Sequence, residues 1–119
     1  KNSAGYGGAI SIGTSVTHNI AGSVTMALNT AKYSGGAMYC DGSEGIRLKT
    51  ARLVSNFAHE SGGAITMISA GSGLYTASAI SDCSFEGNEA SDSGGALYTI
   101  GGFVNISKSS FITNTAGEN

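Results

Sequence analysis

Four carboxylates lie close together in the sequence and are the first candidates for chemistry. Asp82, Glu86, Glu89 and Asp92 fall within the eleven residues 82–92. Such a group could bind calcium through its oxygen atoms, or supply a general acid and a general base. The Gly-Gly-x-Gly-x-Asp pattern of calcium-binding repeats does not occur. We therefore expect a solvated turn here, with no metal and no cofactor.

Three basic residues form a second charged group. Arg47 and Lys49 alternate along one predicted strand, and Arg52 follows shortly afterwards. On one strand face, the first two could contact an anionic glycan or a sulfate. The alternative is that these charges keep strand edges soluble, which is a common role of surface lysine and arginine in sheets.

The histidines and cysteines do not have the spacing of a metal site or a catalytic pair. His18 and His59 are predicted to be surface or corner residues without a neighbouring nucleophile. Cys40 and Cys83 are too few for a disulfide framework and lack zinc-ligand spacing. A disulfide between them stays open, but we expect two small buried thiols.

Two tyrosines and one asparagine offer further surface chemistry. Tyr39 and Tyr98 fall on predicted outward positions, where they could form an aromatic contact for a sugar. Asn105-Ile106-Ser107 matches the N-glycosylation pattern, so Asn105 is a candidate acceptor.

The composition excludes several partners. The 119 residues carry a net charge of −2 and only 12% charged residues, against about 25% in average domains. This charge does not attract nucleic acid or an anionic membrane. Apolar runs stay well below the roughly 20 residues that cross a membrane, so we expect no membrane insertion by this segment. We expect one domain, 1–119, as a fragment of a longer repeat protein.

Two motifs recur through the chain. Gly-Gly-Ala occurs four times, at spacings of 28, 27 and 32 residues, and Asn-x-Ala occurs five times in the same phase. The first motif comprises Gly7, Gly8, Ala9, then Ile10; Gly35, Gly36, Ala37; Gly62, Gly63, Ala64, then Ile65; and Gly94, Gly95, Ala96, then Leu97. The asparagines are Asn2, Asn29, Asn56, Asn88 and Asn114. A fixed period of this length indicates stacked structural repeats.

Apolar residues recur in the same phase and alternate with polar ones, which predicts strands. One core position precedes the last four asparagines by three residues, and a second lies five residues further back. They are Met26, Leu53, Phe85 and Phe111, and Ala21, Leu48, Ile80 and Ile106. After Gly-Gly-Ala, the predicted inward residues are Ile10 and Ile12, Met38 and Cys40, Ile65 and Met67, and Leu97 and Thr99. The predicted outward residues between them are Ser11, Tyr39, Thr66 and Tyr98.

These patterns predict an all-β fold, a right-handed single-stranded parallel β-helix (a solenoid) of about 4 to 5 coils of about 27 residues. The predicted coils are 2–28, 29–55, 56–87, 88–113 and a partial 114–119. Parallel stacking would place the asparagines in a hydrogen-bonded ladder and the glycines at bends with positive φ. About five extra residues of the third repeat are assigned to a loop at Ala70–Gly73.

The two motifs resemble the repeats of the chlamydial polymorphic outer-membrane protein family, Gly-Gly-Ala-[Ile/Leu/Val] and Phe-x-x-Asn. The first is complete at Gly7–Ile10, Gly62–Ile65 and Gly94–Leu97, and the second at Phe85–Asn88 and Phe111–Asn114. Met38, Met26 and Leu53 depart from the pattern. The resemblance implies a β-helical autotransporter passenger on the cell surface, whose paired motifs are associated with adhesion to host cells.

We expect a non-enzymatic stalk and adhesion surface, extracellular or on the outer cell surface, that contacts a protein or glycan. One alternative is a structural segment of an extracellular filament that self-associates by coil stacking, because open coil ends expose strand edges. A second, disfavoured alternative is a polysaccharide-degrading β-helix enzyme. The acidic and basic groups fall in different repeats, and a fold alone does not imply activity.

Overall fold

The chain folds into short β-strands connected by tight turns. The computed structural model describes residues 1–13, 17–42, 45–69 and 77–117, with only the backbone at 17, 18 and 77. All regular structure in these ranges is strand, and they contain no helix that could cross a membrane. The strands are β1 (Ser3–Ala4), β2 (Ile10–Ile12), β3 (Thr17–Ile20), β4 (Val24–Ala27), β5 (Thr30–Ala31), β6 (Met38–Asp41), β7 (Gly45–Lys49), β8 (Ala51–Val54), β9 (Phe57–Ala58), β10 (Ile65–Ile68), β11 (Ala77–Ser81), β12 (Ser84–Glu86), β13 (Glu89–Ala90), β14 (Leu97–Ile100), β15 (Phe103–Ser107), β16 (Ser110–Ile112) and β17 (Thr115–Ala116).

Four parallel sheets arise because equivalent strands of successive repeats pair with each other. Their strand orders are β1-β5-β9-β13-β17, β14-β10-β6-β2, β15-β11-β7-β3 and β16-β12-β8-β4. Each strand therefore pairs with the strand four elements later, and the chain visits all four sheets before it returns to the first. The predicted all-β class and parallel pairing are confirmed, and the fold is β-helix-like.

The core consists of apolar residues that occupy one register position in successive strands. Met26 pairs with Leu53, Leu53 with Phe85, and Phe85 with Phe111. The first three are buried, whereas Phe111 is 43% exposed on β16, the last strand of its sheet. The rings of Phe85 and Phe111 stack with centroids 4.6 Å apart and planes 2° apart. The large side chains thus pack on their own counterparts along the stack.

The second predicted core position is wrong by one residue in the first repeat. Ile20, and not Ala21, pairs with Leu48, and Ala21 is exposed. By register, the turn after Ile20 is one residue longer than the turn after Leu48. Gly22 adopts a φ of 104° in this turn, and its carbonyl oxygen accepts a 2.8 Å hydrogen bond from Val24 N.

Two predictions about the strands after Gly-Gly-Ala are also corrected. Thr66 was expected to face outward but is 1% exposed, and its Oγ1 donates to Ser61 O at 2.9 Å. Its register neighbours are Tyr39 and Tyr98, whose larger side chains flank it. Thr99 was expected to face the core but is exposed, because β14 is the end strand of its sheet.

The longer third repeat places its additional residues between β10 and β11. Ile68 pairs with Asp41, and Ala79 pairs with Arg47. The chain therefore takes 11 residues from Ile68 to Ala79 in the third repeat, but 6 residues from Asp41 to Arg47 in the second. The five additional residues therefore lie between Ile68 and Ala79. The loop predicted at Ala70–Gly73 lies outside the described residues.

Candidate functional site

The asparagine corner is held by side-chain amides that bridge adjacent repeats. Asn29 N and Nδ2 donate to Asn56 Oδ1 at 3.1 and 2.9 Å, and Asn56 N and Nδ2 donate to Asn88 Oδ1 at 3.0 and 2.9 Å. Asn56 Nδ2 also donates to Met26 O at 2.9 Å. Each buried amide thus connects the repeat before it to the repeat after it. Within the described residues, no buried side-chain nitrogen or oxygen lacks a hydrogen-bond partner.

The Gly-Gly-Ala corner requires its glycines for two different reasons. The first glycine adopts positive φ, 70° at Gly35 and 68° at Gly62, where residues with a Cβ are strained. The second glycine lies against the next repeat, so a Cβ on Gly63 would overlap the carbonyl oxygen of Gly95. The following Ala37 and Ala64 are buried. These motif residues are therefore required inside the stack.

The basic side chains lie on the outer surface of two different sheets. Arg47 and Lys49 are exposed on β7 and alternate with the buried residues Ile46 and Leu48, as the sequence predicts. Arg52 is exposed on β8. Arg47 and Lys49 therefore form one small basic patch. Arg52 lies outside this patch, on a different sheet.

The acidic group is spread over turns and strand ends. Asp82, Glu86 and Glu89 are exposed, and Asp92 is half-buried. Asp92 Oδ1 accepts a 3.4 Å hydrogen bond from Ser93 Oγ. In the part of the chain that the structure describes, no three His, Cys, Asp or Glu side chains approach each other closely enough to hold a metal ion.

The remaining candidates are the histidines and the cysteines. His59 is exposed and packs edge-on against Phe57, at 4.8 Å between ring centroids and 82° between planes. The side chain of His18 lies outside the described residues. Cys40 and Cys83 are free, buried thiols. Burial raises the pKa of Cys40 to about 12, so this thiol stays protonated and is a poor nucleophile near neutral pH.

The aromatic residues form a cluster that the sequence analysis missed in part. Tyr39 contacts Tyr6, at 4.6 Å between ring centroids, and Tyr6 contacts Tyr33 at 4.9 Å. Tyr98 lies two strands away from Tyr39 in the same register, with Thr66 between them. The available signal was the phase of Tyr6 and Tyr33, each four residues after an asparagine of the repeat.

The predicted glycosylation acceptor is accessible. Asn105 is exposed on β15 and pairs in register with Ala79 on β11. Its side chain therefore lies on the outside of the same sheet that carries Arg47, which pairs with Ala79 from the other side. Whether Asn105 carries a glycan stays a prediction.

Comparison with known proteins identifies one segment of the chain. No curated protein and no solved structure gives a significant match. The family model of the Chlamydia polymorphic membrane protein (Chlamydia_PMP) repeat matches residues 82–100. This segment includes the Gly94–Leu97 corner, Phe85, which stacks on Phe111, and Asn88, whose Oδ1 accepts hydrogen bonds from Asn56. The segment from Asp82 to Ile100 is therefore similar to the Chlamydia polymorphic membrane protein repeat.

Proposed function

We propose that this chain is a non-enzymatic segment of a cell-surface protein of the autotransporter-passenger type. It forms a right-handed, single-stranded β-helical stalk and offers its outer faces to a protein or glycan. The match of residues 82–100 to a membrane-protein repeat supports the surface location. Turnover of any substrate in a panel of pectins and other polysaccharides would contradict the non-enzymatic assignment.

The observation that carries the adhesion proposal is the contrast between inner and outer positions. Inner positions hold similar residues in successive repeats, and they are buried or hydrogen-bonded within the stack. Outer positions change: one register column of the β3-β7-β11-β15 sheet holds Asn19, Arg47, Ala79 and Asn105. Outer side chains can therefore vary without a change in the fold, as a recognition surface requires.

The proposed adhesion motifs are the Gly-Gly-Ala corners and Phe-x-x-Asn segments, with the pairs Gly62–Ile65 with Phe85–Asn88 and Gly94–Leu97 with Phe111–Asn114. Because these residues also build the core and corners, their substitution tests folding and adhesion together. The informative variants change outer residues only. We expect Arg47→Ala with Lys49→Ala to retain the circular dichroism spectrum and thermal midpoint of the wild type.

Binding of the purified chain to cultured epithelial cells tests the proposal, with sets of outer-face substitutions compared at equal concentration. We expect at least one set to reduce binding while the fold is retained. Unchanged binding by every folded outer-face variant would refute adhesion through these surfaces.

A second candidate function is self-association by coil stacking. The last described repeat exposes large apolar residues, namely Ile100, Phe103, Ile106, Phe111 and Ile112. Two of them, Ile106 and Phe111, pair with Ile80 and Phe85 of the preceding repeat, which are buried. A further coil of the same type, supplied by a second copy, would cover them and pair with the free strand edges. Sedimentation velocity should then show a mass that rises with concentration, and a monomer at all concentrations would contradict this candidate.

A further inference from the structure

Three tyrosine rings meet at one corner of the first two repeats. Tyr6 is the central ring: its centroid lies 4.9 Å from that of Tyr33 and 4.6 Å from that of Tyr39, with interplanar angles of 31° and 45°. Tyr6 is 44% exposed, and the other two rings are half-buried. The cluster therefore presents an aromatic surface that packing holds in place.

The fold brings these rings together from two sheets. Tyr6 and Tyr33 follow β1 and β5, which are neighbours in one sheet, and Tyr33 N donates to Gly5 O at 2.8 Å. The Tyr33 ring lies over Gly5, where an added Cβ would stand 3.8 Å from the ring carbons. Tyr39 comes from β6 of the next sheet and faces outward between the buried residues Met38 and Cys40. A corner between two sheets thus gathers three rings that are distant in sequence.

Two carboxylates lie near the rings. Asp41 follows Tyr39 by two residues on β6, so both side chains lie on the outer face of the strand. Glu60 occupies the position of Tyr33 in the next repeat, four residues after its asparagine, and Glu60 N donates to Tyr33 O at 2.9 Å. Burial and the nearby Asp41, Tyr6 and Glu60 raise the pKa of Tyr39. The Tyr39 hydroxyl therefore keeps its proton, and can donate a hydrogen bond, to a higher pH than an ordinary tyrosine.

A cation borders the rings as well. Lys32 Nζ lies 5.3 Å from the centroid of the Tyr33 ring, within the range of a cation–π contact. The chain's own ammonium thus occupies one aromatic face and would repel an external cation. Asp41 and Glu60 would repel an anion in the same way. The mixed charges favour a ligand without net charge that has both hydroxyl donors and acceptors.

We propose that Tyr6, Tyr33 and Tyr39 bind a neutral sugar ring. The C–H face of a pyranose packs on an exposed aromatic ring, and its hydroxyl groups form hydrogen bonds with surrounding carboxylates, phenols and ammonium groups. Tyr6 provides the stacking face, Asp41 and Glu60 accept hydrogen bonds, and Lys32 donates. This inference rests on the proposed function, in which the outer faces bind a protein or glycan, and it names the ligand class for one of these faces.

The position of the cluster supports a role particular to this chain. Tyr6, Tyr33 and Tyr39 lie in the first two repeats, whereas the family match covers residues 82–100. The fourth repeat has Asp92 at the position of Tyr6 and Tyr33. The fold therefore does not require tyrosine here.

Saturation-transfer difference NMR tests the inference with the complete chain. The neutral probes are maltotriose, chitotriose and lacto-N-tetraose, and the charged probes are sialyllactose and tetramethylammonium. We expect a signal from at least one neutral probe, an affinity loss of about tenfold or more in Tyr6→Ala, and retention in Tyr6→Phe. Tyr98→Ala is the matched control, because Tyr98 has the register position of Tyr39 but lies two strands away.

Several results would overturn the inference: no neutral signal with the folded wild type, an unchanged signal in folded Tyr6→Ala, or binding of the charged probes alone. Circular dichroism verifies the fold of each variant. Cell binding measured in parallel separates the two proposals. Cell binding by the wild type without sugar binding refutes only the sugar site, whereas sugar binding by the wild type without cell binding refutes only the adhesion proposal.

Discussion

Replacement of Asn56 by alanine tests whether the asparagine amides stabilise the stack. The Asn56 side chain takes part in four hydrogen bonds: Oδ1 accepts from Asn29 N and Nδ2, and Nδ2 donates to Asn88 Oδ1 and Met26 O. All four bonds are buried, with donor–acceptor distances of 2.9 to 3.1 Å. Alanine would remove these bonds, and water would not replace them, because Asn29, Asn56 and Asn88 are at most 3% exposed.

The expected destabilisation follows from these bonds. A typical internal hydrogen bond contributes about 1 kcal/mol net, and a buried group left without a partner costs about 1 to 3 kcal/mol. Four lost bonds therefore predict a decrease of about 3 to 5 kcal/mol in the free energy of unfolding. Because small domains have about 5 to 15 kcal/mol in total, Asn56→Ala should be partly unfolded or close to it.

Asn2→Ala is the matched control at the end of the same column. Asn2 is exposed, and its side chain donates one long bond of 3.4 Å to Asn29 Oδ1. Its removal should cost about 0.5 kcal/mol or less. Urea unfolding, followed by circular dichroism and tyrosine fluorescence, should give a midpoint about 2 M lower for Asn56→Ala and nearly unchanged for Asn2→Ala. Equal midpoints for the two variants would refute a stabilising role of the amides.

Three further predictions concern the core, a corner and a thiol. Phe85→Ala should lower the free energy of unfolding by about 3 to 5 kcal/mol and Phe111→Ala by less, because only Phe85 is fully buried; equal losses in urea unfolding would contradict this packing. Gly63→Ala should strongly lower the thermal midpoint, because its Cβ would overlap the carbonyl oxygen of Gly95. Gly13→Ala is the control and should leave the midpoint unchanged, because its Cβ would enter open space. An unchanged midpoint for Gly63→Ala would contradict the close approach of Gly63 to Gly95. Burial raises the pKa of Cys40 to about 12, so as the pH rises this thiol ionises in the unfolded chain before it ionises in the folded one. The free energy of unfolding should therefore fall by about 1 kcal/mol between pH 9 and 10. Cys40→Ala should lose this pH dependence, and an identical dependence would refute it.

Much of the fold follows from the period of the sequence. Phe85, Leu53 and Met26 recur in one phase, and a parallel stack is the arrangement that places each on its counterpart. The alternation of Ile46, Arg47 and Leu48 likewise predicts which side chains are buried. These predictions hold because they depend on the local period of two and on the repeat length, both of which are visible in the chain.

The errors arise where a contact depends on neighbours in other repeats. The register of Ile20 depends on one additional turn residue, which a fixed spacing cannot detect. Thr66 is buried although its position alternates outward, because larger tyrosines flank it on both sides. Tyr6 follows β1 of one sheet and Tyr39 lies on β6 of another, so their contact follows from the angle of the corner.

This difference between local and corner contacts also bears on function. The repeated glycines, asparagines and core residues are fixed by requirements of the stack, so a match to them identifies a type of repeat and says little about a ligand. The residues free to differ between repeats are those of the outer columns and corners, where Tyr33 is followed by Glu60 and then by Asp92. A change from aromatic to acidic side chains along one corner leaves the backbone hydrogen bonds in place, since Glu60 N still donates to Tyr33 O and Asp92 N to Glu60 O. Recognition can therefore diverge along this corner without loss of the fold, and the sugar-binding test addresses the position where this chain has diverged.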